Sequence, residues 1–226
     1  MSIANIVVAR DKALIGFDTK SAFMATPVSG GFAAALKLAE GGAHTSKCMF
    51  LPHANVAMPT LGDNLLANYA FSMLQLRPDL VDLDKMAEAM PEILAEAHRQ
   101  AVFIRKQQWG TDKFPGSTVF LVGWSNALGR MECVRWTRWP DDSAFKAEQV
   151  RHESINPDTG RKYDVPITDA EMEKIAREQV TYARDLPSAE YDCGGRLLVA
   201  ELTRDTLNVR TVANLEEVPH GVPVAA

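Results

Sequence analysis

Cysteine is scarce in this 226-residue chain, and the three present, Cys48, Cys133 and Cys193, are odd in number and far apart. That fits reduced, mostly buried thiols better than a disulfide framework. No run of eighteen apolar residues occurs and no basic-then-apolar leader opens the sequence, so neither a membrane span nor secretion is expected, and the cytoplasm is the default location. Lys/Arg clusters interleaved with aromatic residues are also missing. The 24 basic residues stand against 29 acidic ones, a net charge of -5, which argues against nucleic acid as a partner. The histidines, His44, His53, His98, His152 and His220, show no ligand spacing, so no metal site is expected. Gly30-Gly31 and Gly41-Gly42 bracket an Ala/Leu-rich stretch without the pattern of a phosphate loop, and no cofactor is expected.

What is present begins with size. At 46% hydrophobic residues, a chain of this length can bury one large core, so residues 1–226 read as a single domain. Its front is the most informative segment. Ser2 follows Met1, Ile3 to Val8 is an apolar run rich in β-branched residues, Ala9-Arg10-Asp11-Lys12 is a polar turn, and Ala13 to Phe17 is a second apolar run ending at Asp18 and Thr19. This is the pattern of a hairpin. Removal of Met1, usual when a small residue stands second, leaves Ser2 with a hydroxyl and a free α-amine. Nucleophile and base then share one residue.

Further along, the periodicity predicts a helix over 62–75, with Leu65, Leu66, Tyr69, Ala70, Met73 and Leu74 on one stripe and Asp63 as its cap. A second stripe from Leu83 to Ile104 predicts another helix, with Asp82 as N-cap and Pro91 as a kink. Thr118 to Trp124 and Arg130 to Trp136 predict two strands joined by a turn-prone loop. Thr168-Asp169-Ala170-Glu171 is a capping box opening a helix to Arg184, and two strands, from Arg196 and from Leu207, close the pattern as a hairpin. Ile93, Val102 and Phe103 fall off the main stripe of the second helix. Apolar surface left over on these helices predicts a homo-oligomer assembled through them.

The spacing from Ser2 to Asp18, the segment Gly16-Phe17-Asp18-Thr19, and the strand-like Lys47-Cys48-Met49-Phe50-Leu51-Pro52 together resemble the proteasome β-subunit branch of the N-terminal-nucleophile hydrolases. In that family a nucleophilic residue opens strand one, an aspartate closes strand two, and a lysine starts strand three. The order of elements is similar to its α+β fold, a four-layer αββα sandwich. Glu190-Tyr191-Asp192-Cys193-Gly194-Gly195 resembles the family's Asp-x-x-Ser-Gly-Gly, with Glu190 and Cys193 at the two functional positions. Lys47 arrives late because of a Gly/Ala-rich insert at about 27–42, and an irregular tail runs from about 215. The family's Gly-Ser-Gly segment and the helix after it have no counterpart between Trp139 and Pro166.

The resemblance implies an amide-bond hydrolase acting on a peptide or small amide. Ser2 would attack with its own α-amine as base, Lys47 would assist electrostatically, and Asp18 would hold Lys47 charged and oriented. The oxyanion donor would be the backbone N–H of Thr60 or Leu61, in a turn spanning Pro59 to Gly62. As a solvated strand-start residue, Lys47 should contribute under ~1 kcal/mol to stability. The missing Gly-Ser-Gly keeps a second reading open, an inactive homologue serving as a structural or assembly subunit. An ATPase partner is left open as well.

Overall fold

The computed structural model describes residues 3–21, 43–44, 47–161, 163, 168–185 and 193–216. The near-continuous apolar front is explained by its place in a sheet buried on both faces. In β2 (Lys12–Asp18), Ala13, Ile15 and Phe17 point to one side and Leu14 and Gly16 to the other, following the period of two. β2 lies between β1 (Ala4–Val8) and β11 (Arg196–Thr203), in a five-stranded antiparallel sheet of order β10-β1-β2-β11-β12. Its edges are β12 (Leu207–Asn214) and the short β10 (Glu153–Ser154). A second five-stranded antiparallel sheet runs β5-β6-β7-β8-β9, from Cys48–Leu51, Val56–Gly62, Ser117–Ser125, Arg130–Arg138 and Lys146–Val150. A two-residue ladder, β3 (Lys20–Ser21) with β4 (Ala43–His44), extends beyond β2.

Among the described residues there are three helices, α1 (Asn64–Gln75), α2 (Leu83–Trp109) and α3 (Asp169–Asp185). The architecture is therefore α+β, with two antiparallel sheets and three helices. Three apolar clusters hold it together. Leu66, Ala70 and Leu74 of α1 and Met86, Met90, Leu94 and Ala97 of α2 pack on Met58, Val119 and Leu121 of the second sheet. Ile6, Ile15 and Phe17 of the first sheet meet Ala57, Phe120, Val122 and Cys133 of the second. Met172, Ala176 and Val180 of α3 cover Ile3, Val7, Leu14 and Val199. Here Gly16 is required by contact: a Cβ on it would stand 2.5 Å from the Met172 Sδ.

The helix ends follow the expected chemistry. Asp63 Oδ1 accepts from the Leu65 and Leu66 amides, Asp82 accepts from Lys85 N, and Thr168 and Glu171 cap each other reciprocally. α2 continues through Pro91 and runs five residues past Ile104 before Gly110 ends it at φ 65°. Ile93 is buried in the core, whereas Phe103 is exposed.

Several expectations are corrected. The strand that follows Lys47, which the resemblance implied as a neighbour of the first two, pairs with β6 in the other sheet. Pro59 to Gly62 is not a turn but the end of β6. Its ladder to β7 pairs Ala57 with Val122 and Thr60 with Val119 and lapses at Met58 and Pro59, as it must where proline has no N–H to give. The stretch after Trp139 supplies β9 to one sheet and β10 to the other. Residues 27–42 and the tail beyond 216 lie outside the described residues.

Candidate functional site

The end of β2 delivers Asp18 to a fully buried position, where all of its neighbours donate. Its Oδ1 accepts from the Ile3 amide at 2.7 Å, and its Oδ2 accepts from the Lys47 Nζ at 2.7 Å and the Gly194 amide at 2.9 Å. Lys47 is itself only 2% exposed, which overturns the expectation of a solvated strand-start lysine. Burial pushes the Asp18 carboxyl above the usual carboxylate range, and the Lys47 charge and the three hydrogen bonds pull it back. Three donors are satisfied by an ionised, acceptor-only carboxylate, so the contact is an ion pair near neutral pH.

The surrounding backbone locks this pair in place. Lys47 O accepts from Thr60 N at 2.9 Å, which ties the lysine to β6. Lys20 N donates to Gly194 O, Thr19 N to Arg196 O, and Arg196 N to Thr19 Oγ1. Gly194 (φ 148°) and Gly195 (φ 71°) adopt backbone that L side chains rarely take, so the Gly-Gly pair is what lets an amide reach Asp18. On the other side of β1, Asn5 and Gln179 exchange side-chain hydrogen bonds at 2.8 and 2.9 Å, and Gln179 also donates to Pro157 O. Every polar atom of that buried link has a use, so it anchors β1 to α3 at little cost.

Of the residues singled out in the sequence, Asp18 and Lys47 are brought together, with Gly194 beside them. Ser2 and Glu190 lie outside the described residues. Cys193 directly precedes Gly194 but is packed in the apolar cluster under α3, its Sγ 3.9 Å from Gln179 O. Burial also raises the Cys48 and Cys133 thiols well above their ordinary range. Thr60 does not offer a free amide, because its N–H is committed to Lys47 O. Strand alternation turns the Leu61 N–H the opposite way, toward Thr118 of β7. Both are thus inside the sheet, not in a turn.

The residue that the sequence reading passed over is Gly62. It ends β6 at φ 88°, immediately before the Asp63 cap of α1, and because the Thr60 N–H points to Lys47 O, strand alternation assigns the Gly62 N–H, two residues on, to the same side of β6. A Cβ at this position would stand 2.5 Å from Gly116 O, so only glycine fits. A Gly-Asp pair heading the first helix was the available signal.

No family model matches the chain, and no curated protein matches it in sequence. Solved structures do match in fold. The Gly-1 mutant of Anbu from Hyphomicrobium sp. strain MC1 aligns with a TM-score of 0.55 at 12% identity, over 94% of this chain and 88% of that one. Anbu, an ancestral β-subunit, from Yersinia bercovieri aligns with a TM-score of 0.55 at 14% identity, over 93% of this chain and 86% of that one. The fold is proteasome-like. The family resemblance drawn from the front of the sequence is corrected by these matches: the neighbours are Anbu proteins, not members of the proteasome β-subunit branch of the N-terminal-nucleophile hydrolases. At this identity the likeness establishes the fold alone.

Proposed function

We propose that this chain is an amide-bond hydrolase acting on a peptide or small amide, with Ser2 as nucleophile once Met1 is removed. The observation that carries the reading is the Asp18 carboxylate, which holds Lys47 through one oxygen and the Ile3 amide through the other. That amide is the one to which Ser2 is bonded through its carbonyl carbon. A fully buried Lys-Asp pair is often no more stabilising than well-packed apolar residues of the same size, so its presence beside Ile3 favours a chemical role over a structural one.

In this mechanism the Ser2 α-amine takes the hydroxyl proton as Oγ attacks the substrate carbonyl carbon, and the carbonyl oxygen becomes an oxyanion met by the Gly62 N–H. Collapse breaks the C–N bond, and the α-ammonium returns its proton to the leaving amine. Water, deprotonated by the same α-amine, then cleaves the acyl-Ser2 ester to release the acid and restore Ser2. Lys47 keeps the α-amine unprotonated by its charge, and Asp18 orients Lys47. Gly62 replaces Thr60 and Leu61 as the donor because its amide is directed to the Lys47 edge.

The three apolar clusters support reading the architecture as four layers, αββα, in one domain. The exposed Phe103 on α2 favours assembly with further copies of this chain. Among the described residues no helix is long and apolar enough to cross a membrane. A second reading, an inactive assembly subunit, is favoured by two observations. The stretch expected to hold Gly-Ser-Gly forms β9 and β10, and Cys193, expected at a functional position, is packed in the core. Hydrolysis of an aryl ester or anilide by the wild type, lost in Ser2→Ala with the melting temperature unchanged, supports the enzyme; equal rates in both reject it.

A further inference from the structure

The junction from β6 to α1, at Gly62 and Asp63, is clamped by a contact from far along the chain. Asp63 is buried, and its carboxylate does more than cap α1. Oδ1 lies 2.6 Å from the Arg105 Nη2 and Oδ2 accepts from the Arg105 Nε at 3.3 Å, so the guanidinium meets the carboxylate through two atoms. Arg105 stands near the end of α2, its side chain 15% exposed, with its charge 5.5 Å from the Trp109 ring centre. A helix cap needs no such partner: serine or asparagine would accept the same amides without a buried charge. The ion pair is therefore surplus to capping, and its direct neighbour in the chain is Gly62.

The opposite side of Gly62 is fixed too. Gly116 O lies where a Cβ would be, and the Ser117 hydroxyl donates to Leu61 O at 3.0 Å. The junction is held between the start of β7 and the last turns of α2, while Thr60 ties it to Lys47. We propose that Asp63 and Arg105 form a positioning pair that sets the Gly62 amide at the distance an oxyanion requires, an inference that rests on the hydrolase reading above. Neither residue touches substrate. Their effect is on geometry, where a displacement of about 1 Å is enough to slow the chemistry by one to two orders of magnitude.

The test compares the wild type, Arg105→Lys, and the double variant Asp63→Ser with Arg105→Met, which keeps a cap and leaves no buried charge behind. Two reactions are followed by intact mass. Periodate oxidation of an N-terminal serine needs only the free amine and hydroxyl, whereas acylation of Ser2 by an aryl ester passes through the oxyanion. The pair acts as proposed if the double variant keeps its periodate rate and melting temperature but acylates at least about tenfold more slowly, with faster hydrogen exchange confined to the amides of residues 60–66. Arg105→Lys, which keeps the charge without the fork, should fall between. Unchanged acylation in the double variant overturns the positioning role while leaving the hydrolase reading intact. Should the double variant fail to fold, wild-type acylation in Arg105→Lys overturns it equally. A wild-type chain untouched by periodate overturns both.

Discussion

The Lys47 ammonium lies 2.7 Å from the Asp18 Oδ2, and this contact joins the end of a strand in one sheet to the residue just before a strand of the other. It follows that neither side chain can be removed cheaply. Lys47→Ala leaves a buried carboxylate with only two amides, and Asp18→Ala leaves a buried ammonium, so each should cost about 3–5 kcal/mol. The double replacement Asp18→Asn with Lys47→Met removes both charges but turns the Asn NH2 toward one of the two donating amides, so it should recover only part of that loss while abolishing any hydrolysis. Urea denaturation of all three checks this; a cost for Lys47→Ala below about 1 kcal/mol would place the lysine in solvent after all.

Gly16→Ala should destabilise by about 1–3 kcal/mol, because the new methyl group meets the Met172 sulfur at 2.5 Å. Met172→Ala alone opens a cavity under α3 and should cost about 2–4 kcal/mol. The pair should cost less than the sum of the two, since each relieves the other. Additive losses in a double-mutant cycle would show that the strand moves away from the helix instead.

How far the sequence was legible follows from which contacts are local. The front hairpin, the helix stripes and their caps depend on residues within a few positions, and they stand where the periodicity put them. Asp18 was visible as a strand-end carboxylate. What it touches was not, because the Gly194 amide is 176 residues away, and the burial of Lys47 depends on which sheet takes the strand after it. Pro59 to Gly62 was read as a turn, yet the missing N–H of Pro59 coincides with a lapse in the β6–β7 ladder and the strand continues. Arg105 gives no local sign of pairing with Asp63, 42 residues before it.

His98 offers a pH-dependent test. Burial holds its imidazole below the ordinary value near 6.5, helped by the Arg138 charge and opposed by Asp63; among the described residues, its buried Nε2 has no hydrogen-bond partner. A depressed pKa means that the unfolded chain binds a proton that the folded chain refuses. The stability contributed by the neutral ring is therefore complete above about pH 6.5 and declines as pH falls toward the native value. His98→Leu should flatten this acid limb and raise the melting temperature at low pH, and thermal melts between neutral and acid pH measure it. An equally steep limb in the variant would assign the pH dependence to other groups.

The α1 cap can be tested separately from its charge. Asp63→Asn keeps an acceptor for the Leu65 and Leu66 amides but breaks the pairing with Arg105, so it should cost more than the few tenths of a kcal/mol typical of a cap exchange, about 2–4 kcal/mol. A cost within the range of a simple cap exchange would mean that Arg105 is held by Trp109 and solvent rather than by the carboxylate.

The most direct test of the account is intact-mass spectrometry of the purified chain before and after a single turnover with an aryl ester. The account predicts a chain shorter by Met1 that gains one acyl group, mapped to Ser2 and absent in Ser2→Ala. A chain that retains Met1, or that takes the acyl group at another residue, would contradict it.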